Sequence, residues 1–283
     1  MSSHPDASST ATGNTNNTDN AGNTAPASPL QITREGAVVT LRFSRPEALN
    51  AIDVPMAQAL LAAVRDIAAD ASVRAVVLCG AGKGFMAGGD LATLRADPVQ
   101  GAIDILTPLN AALLLLAQMN APVIAQVHGV AAGAGLSLLL MADYVIAAEG
   151  TRLNLAYINL GTSCDVGASW ALPRIVGVRQ ALEIALLGEA FTADDALRLG
   201  LVNRVVPGAE LESATAALAQ RLASGPTLAY GAMKRLMRAS MDHTLPEQLA
   251  AEKDAFVHCA GPEDFRAGVE AFHQRQSPQF VGR

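Results

Sequence analysis

Two glycine-rich segments are the part of this 283-residue sequence best suited to chemistry. The first reads Phe85-Met86-Ala87-Gly88-Gly89-Asp90-Leu91 and the second His128-Gly129-Val130-Ala131-Ala132-Gly133-Ala134-Gly135. Each follows an apolar run that reads as a buried strand, and each leads into a helical pattern. Small residues there let a ligand approach the backbone closely. A helix start adds unpaired N–H groups at the positive end of the dipole. Two such loops can aim two donors at one oxygen, the geometry of an oxyanion hole. Tight strand–helix packing without any ligand accounts for the same residues equally well. A dinucleotide site does not fit, because position 138 is Leu where a third glycine is needed, and no phosphate loop is present. The remaining reactive side chains have plainer readings. His128 ends a strand, Cys164 reads as a buried thiol, and Asp90 caps the helix after the first loop. Lys234, Arg235 and Arg238 form a small basic helix face, read as solvated rather than as an RNA site.

These loops need elements to hold them. Gln31–Arg34 and Val38–Phe43 read as strands around a turn at Glu35-Gly36. Asp53 is placed to cap a helix with Pro55 in its first turn and Met56, Leu60, Val64 and Ile67 on one face. Val73–Cys79 is continuously apolar, as in a parallel sheet covered on both faces. The pattern predicts a helix over Leu109–Met119, a strand over Pro122–Val127, a helix from the second loop to about Ala142, and a strand over Tyr144–Ala148. From Asp165 onward helices are predicted over 165–172, 178–187, 193–199, 210–223, 226–239, 245–258 and 262–274. The fold class is therefore α/β with a helical C-terminal layer. Residues 1–28, rich in Ser, Thr, Asn, Ala, Gly and Pro, cannot bury enough apolar area to offset their ordering entropy and are expected to be a disordered tail. The expected division is tail 1–28, core 29–206 and helical region 207–283.

Composition narrows the function. A net charge of -6 and a pI near 5.3 argue against nucleic acid as a partner. Charged residues are 16% of the chain, against about 25% in a typical domain, which points to burial of surface in assembly as well as in folding. Three cysteines without a CxxC pair fit a reducing compartment, taken as the cytoplasm, and neither a disulfide framework nor a metal site is expected. Ile105–Ala142 carries no charge, but Pro108, Asn110, Gln118, Asn120, Pro122 and His128 interrupt it. No piece reaches the roughly 18–20 apolar residues of a membrane span, so buried helix, strand and helix are expected.

Further segments carry a resemblance. They are Arg45-Pro46-Glu47-Ala48-Leu49-Asn50-Ala51, Gly188-Glu189-Ala190-Phe191-Thr192-Ala193, Ala196-Leu197-Arg198-Leu199-Gly200-Leu201-Val202, and Glu263-Asp264-Phe265-Arg266-Ala267-Gly268 with Ala271-Phe272 and Pro278-Gln279-Phe280. Each is weak singly; their order and spacing are specific. Over 30–283 the chain resembles the enoyl-CoA hydratase/isomerase, or crotonase, superfamily. The resemblance implies a spiral of ββα units with a helical C-terminal trimerisation layer, a homotrimer or hexamer, and an acyl thioester of coenzyme A as substrate with no separate cofactor. It implies oxyanion donors at the backbone N–H groups of Gly89 and Ala134, the latter where the family has glycine. It further implies contacts to coenzyme A from Ala48, Leu49, Ala87, Gly88 and Leu91, and from Arg275, where lysine is more usual, to the CoA phosphates.

A hydratase of this family uses two glutamates, and their positions here hold Ser137 and Tyr157. Efficient hydration is not expected without them. Instead, Asp165 in Gly161-Thr162-Ser163-Cys164-Asp165-Val166-Gly167 resembles the aspartate of the isomerase branch, which includes ring-1,2-epoxyphenylacetyl-CoA isomerase-like members. That resemblance implies a proton shuttle at Asp165, its pKa raised by an apolar surround that includes Val166 and Trp170. The competing reading makes Asp165 only a helix cap. A dehalogenase branch carries Trp at the place of Tyr157, so Tyr157 is expected to donate a hydrogen bond, line the acyl pocket, or pack. A hydratase-type lyase and a non-catalytic CoA-binding protein are the alternative functions.

Overall fold

The computed structural model describes residues 28–283; the expected tail lies outside the described residues apart from Ser28. The chain runs β1 (Leu30–Glu35), β2 (Val38–Phe43), α1 (Val54–Ala69), β3 (Ala75–Gly80), α2 (Leu91–Ala96), α3 (Pro98–Gln118), β4 (Val123–Val127), β5 (Val130–Ala132), α4 (Ala134–Leu140), β6 (Tyr144–Ala148) and β7 (Arg152–Asn154). It continues through α5 (Ala168–Leu187), β8 (Phe191–Thr192), α6 (Ala193–Arg198), β9 (Arg204–Val206), α7 (Leu211–Ala223), α8 (Thr227–Ala239), α9 (Leu245–Ala260) and α10 (Glu263–Gln274).

Two sheets organise it. The larger has the order β1-β2-β3-β4-β6-β9, antiparallel only between β1 and β2. The smaller has the order β5-β7-β8. All six residues of β3 are buried, as its unbroken apolar run requires. A repeat generates the spiral. Each of β4 and β6 is followed by a strand of the small sheet, β5 or β7, and then by a helix, α4 or α5. After β3 the small-sheet strand shrinks to a single bridge, Met86 to Ala131.

Four short strands, β5, β7, β8 and β9, are absent from the sequence reading, being two or three residues long with no alternation to detect. The helix expected over Leu109–Met119 starts instead at Pro98, with Asp97 accepting a hydrogen bond from Gln100 N at 3.0 Å. Its buried stripe, Gly101, Ile105, Leu109, Ala112, Leu113 and Leu116, keeps phase through Pro108, so packing on α1 overrides the lost backbone bond. This helix has 21 residues, and with mean hydropathy 1.6 over an 18-residue window it is long and apolar enough to cross a membrane by length and composition, although Gln100, Asp104, Thr107 and Asn110 interrupt its apolar run. The stripe, however, lies in the core. α5 is two helical segments meeting at Gly177 (φ 77°, ψ 157°).

Of the basic face on α8 only Arg235 is exposed; Lys234 and Arg238 turn inward. Lys234 Nζ reaches Asp143 at 2.7 Å, Leu116 O at 3.0 Å and Ala121 O at 3.1 Å, and Arg238 reaches the other Asp143 oxygen at 2.8 Å. Asp143 also accepts from Val123 N at 2.9 Å, locking α8 to the start of β4. Burial pushes the Lys234 ammonium below its ordinary range, and Asp143 opposes this.

Candidate active site

The first glycine loop is held along both edges. Phe85 N donates to His128 O at 2.9 Å, Met86 N to Val130 O at 3.0 Å, and Ala132 N to Met86 O at 2.9 Å. On the other side Ala87 N donates to Leu49 O at 3.0 Å, Ile52 N to Gly88 O at 2.8 Å, and Asp90 N to Ile52 O at 2.8 Å. Gly89 N falls between these bonds, and Ala134 N is the first of α4. Neither N–H has a partner among the described residues. The loops touch. A Cβ on Gly88, whose φ is +112°, would lie 3.3 Å from Ala132 O and 3.7 Å from Ala134 N. A Cβ on Gly135 would lie 2.2 Å from Met86 O, so α4 seats on the first loop only with glycine there. Two free, fixed donors thus stand on adjoining loops, as an oxyanion site needs.

Two side chains that the sequence reading left as motif letters lock this arrangement. Asn50 is wholly buried. Its amide donates to Ala81 O (2.8 Å), Gly84 O (2.9 Å) and Phe85 O (3.2 Å), and its oxygen accepts from Arg45 N at 2.9 Å. Arg45 reaches Ala51 O at 2.6 Å, Asp90 at 2.8 Å and Asp53 at 3.2 Å. Asp90 caps α2, accepting from Ala92 N at 2.8 Å and Thr93 N at 3.2 Å. Burial pushes its carboxyl up, but the hydrogen bonds from Arg45 and the two backbone groups prevail and hold it below its ordinary range. A buried Asn inside an Arg-Pro segment was the available signal, but its carbonyl partners lie more than thirty residues away.

Asp165 does not cap its helix. α5 begins after Gly167, with no side-chain cap. Instead Asp165 Oδ1 accepts a hydrogen bond from the Tyr157 hydroxyl. Tyr157 Oη lies 3.0 Å from Ser137 Oγ, which is fully buried in the first turns of α4 and 3.2 Å from Gly133 O. Burial pushes the Asp165 carboxyl above its ordinary range, and the Tyr157 bond opposes this. Burial and the neighbouring Asp165 likewise push the Tyr157 phenol up. The chain is bent at both ends of this segment. Ala156 (φ 55°) and Val166 (φ 54°) are left-handed non-glycine residues next to Tyr157 and Asp165, and such strain persists only where surrounding packing imposes it.

The other expected positions are scattered around this centre. Ala48 and Leu49 form the turn that holds Ala87, and Leu91, 55% exposed, opens α2. Arg275 stands exposed at the C-cap of α10, with no hydrogen bond joining it to either loop among the described residues. Val166 is buried, while Trp170 lies at the surface with the Arg174 guanidinium 4.2 Å above its ring. His128 Nε2 meets Gly82 O at 2.9 Å, and Cys164 is half-buried rather than fully buried. Among the described residues no group of three His, Cys, Asp or Glu side chains is placed to hold a metal ion.

Comparison with known proteins places the chain in a family. Residues 33–283 match the enoyl-CoA hydratase/isomerase family model, and the chain belongs to that family. It is 37% identical over 253 residues to 1,2-epoxyphenylacetyl-CoA isomerase of Escherichia coli K12, covering 88% of this chain and 97% of the relative. It is 34% identical over 256 residues to 2,3-dehydroadipyl-CoA hydratase of the same organism, covering 90% and 100%. Among solved structures, an enoyl-CoA hydratase of Mycobacterium smegmatis superposes with a TM-score of 0.84 at 35% identity, covering 89% of this chain and 98% of that one. The crotonase fold expected from the sequence is thus the fold of the chain, and its substrates are acyl-CoA thioesters.

Proposed function

We propose that the protein is an enoyl-CoA isomerase in which Asp165 moves one proton between two carbons of a thioester. The observation that carries this reading is the run of hydrogen bonds from Asp165 through Tyr157 to Ser137 in the first turns of α4. It ties the Asp165 carboxylate to the helix whose first N–H, at Ala134, is one of the two free donors. The Asp165 carboxylate takes the proton from C2 of a 3-enoyl thioester, and the C–H electron pair moves through C1 onto the carbonyl oxygen. The N–H groups of Gly89 and Ala134 hold that negative charge, each donor worth about 3–4 kcal/mol at a preorganised site. The oxygen pair then returns, the C3=C4 pair takes the proton from Asp165 at C4, and a C2=C3 bond remains. Protons and electrons balance without a cofactor.

Water addition needs a second group to deliver or accept a proton. The hydratase glutamate positions hold Ser137 and Tyr157, which are bonded to each other. Ala48, Leu49, Ala87, Gly88 and Leu91 would receive the thioester arm, and Arg275 the CoA phosphates. The reducing cytoplasm suits the three unpaired cysteines.

The test is turnover of 3-enoyl-CoA and 2-enoyl-CoA substrates by wild type and Asp165→Asn, run in labelled water. The expected result is double-bond migration in wild type and its loss, by a thousandfold or so, in the variant. Undiminished migration in Asp165→Asn overturns the assignment, and a labelled 3-hydroxyacyl-CoA product supports a hydratase instead.

A further inference from the structure

We propose that Tyr157 is the positioning residue of this site: it anchors Oδ1 of Asp165, leaving Oδ2 as the oxygen that carries the travelling proton, and Ser137 ties Tyr157 to the oxyanion helix. This inference rests on Asp165 being the base.

Counting hydrogens assigns the directions. A carboxylate only accepts, and a phenol has one hydrogen. In the working form of Asp165 that hydrogen goes to Oδ1. The phenol oxygen is then free to accept, and the group that reaches it is Ser137 Oγ at 3.0 Å. The competing acceptor for the Ser137 hydroxyl, Gly133 O, lies farther away at 3.2 Å and is already served by Ser137 N at 3.0 Å. Ser137 therefore donates to Tyr157, and Tyr157 to Asp165.

Two consequences follow for the proton transfer. When Oδ2 receives the proton from C2, Oδ1 becomes a carbonyl oxygen and accepts the same phenol hydrogen, so one hydrogen bond serves both states and the carboxyl plane stays fixed. Ser137 N–H holds the Gly133 carbonyl at 3.0 Å, and that carbonyl and the Ala134 N–H belong to one peptide unit. The base and the oxyanion donor are thereby referenced to the same turn of α4, and misplacing a reacting group by an ångström is costly in rate. Tyr157 is the one titratable side chain bonded to Asp165 among the described residues, and no lysine, arginine or histidine pairs with it.

The experiment pairs kinetics with a titration of the carboxyl group itself. In Tyr157→Phe, kcat is expected to fall roughly 10–100-fold with KM little changed, and the acid limb of kcat/KM to move to higher pH, because a bond favouring the charged form is gone. Carbon-13 NMR of carboxyl-labelled protein, with the Asp165 signal assigned by its absence in Asp165→Asn, reads that displacement without any substrate. Ser137→Ala, one step farther along the chain, should move the signal the same way by less. An Asp165 titration unmoved in Tyr157→Phe overturns the inference, as does a kcat loss with an unmoved acid limb. Full turnover in Asp165→Asn would instead remove the base assignment, so the two failures are distinguishable.

Discussion

A carboxyl group held above its ordinary range makes opposite demands on stability and activity. Burial favours the neutral form of Asp165 in the folded chain, so the folded state binds its proton more tightly than the unfolded state does. Between the ordinary value and the raised one, the unfolded chain holds fewer protons, and stability contributed through this group falls as pH rises. Activity rises over the same window, because the base must be charged. Asp165→Asn should therefore show a higher Tm than wild type near pH 7, with the difference shrinking as pH falls through the raised value and levelling off once it reaches the ordinary value near 4. Differential scanning calorimetry across pH measures it. The candidate residues themselves were legible through resemblance, since Asp165, Gly89 and Ala134 sit at recognisable motif places. A hydrogen bond from Tyr157 was one of three readings open in the sequence; that it goes to Asp165 depends on how two left-handed residues, Ala156 and Val166, turn the chain.

At the level of elements, most long features were readable, though α3 only in its second half, and the shortest strands were not. β2, α1, β3 and the helices from α6 to α10 announce themselves by apolar runs or helical spacing, with ends off by a residue or two. The small sheet escaped because it is a set of short strands defined by neighbours, not by pattern. It nevertheless brings the glycine loops together, and two substitutions test its fastening. Asn50→Ala would leave buried carbonyls at Gly84 and Phe85 unpaired, at a cost of about 3 kcal/mol, read as a shifted urea midpoint with unchanged slope. Gly135→Ala would drive a methyl into Met86 O and pry the loops apart. It should depress kcat more than Asn50→Ala does, while Ala134→Gly, which keeps the donor N–H, should leave kcat within about threefold.

On the scale of the whole molecule, the C-terminal helices carry apolar surface that one chain leaves uncovered. No residue of α9 is buried, Leu245 is 71% exposed and Phe272 82%, and Met233, Met237 and Met241 form an exposed row across α8 and its end. A hollow of about 390 Å³ beside them is lined by Leu228, Val269, Phe272 and Phe280. Exposed apolar surface of this extent is what an interface presents, and the trimer or hexamer expected from the resemblance would cover it. Sedimentation should report such an assembly, and Met237→Glu with Phe272→Asp should lower its mass while each chain stays folded. The low charge content already pointed this way. Which helix faces remain bare did not follow from the sequence, because α8 spends its cations inward on Asp143.

In the proposed site the oxyanion donors are main-chain groups, indifferent to what side chain is attached, whereas the choice of reaction would rest on three side chains carried by α4 and the approach to α5. Sequence drift can thus exchange one transformation for another without disturbing the scaffold that grips the thioester. An isomerase and a hydratase from one bacterium stand at 37% and 34% identity to this chain, a spread too small to rank them. Divergence of activity in such a lineage is cheap, and overall similarity is a poor clock for it.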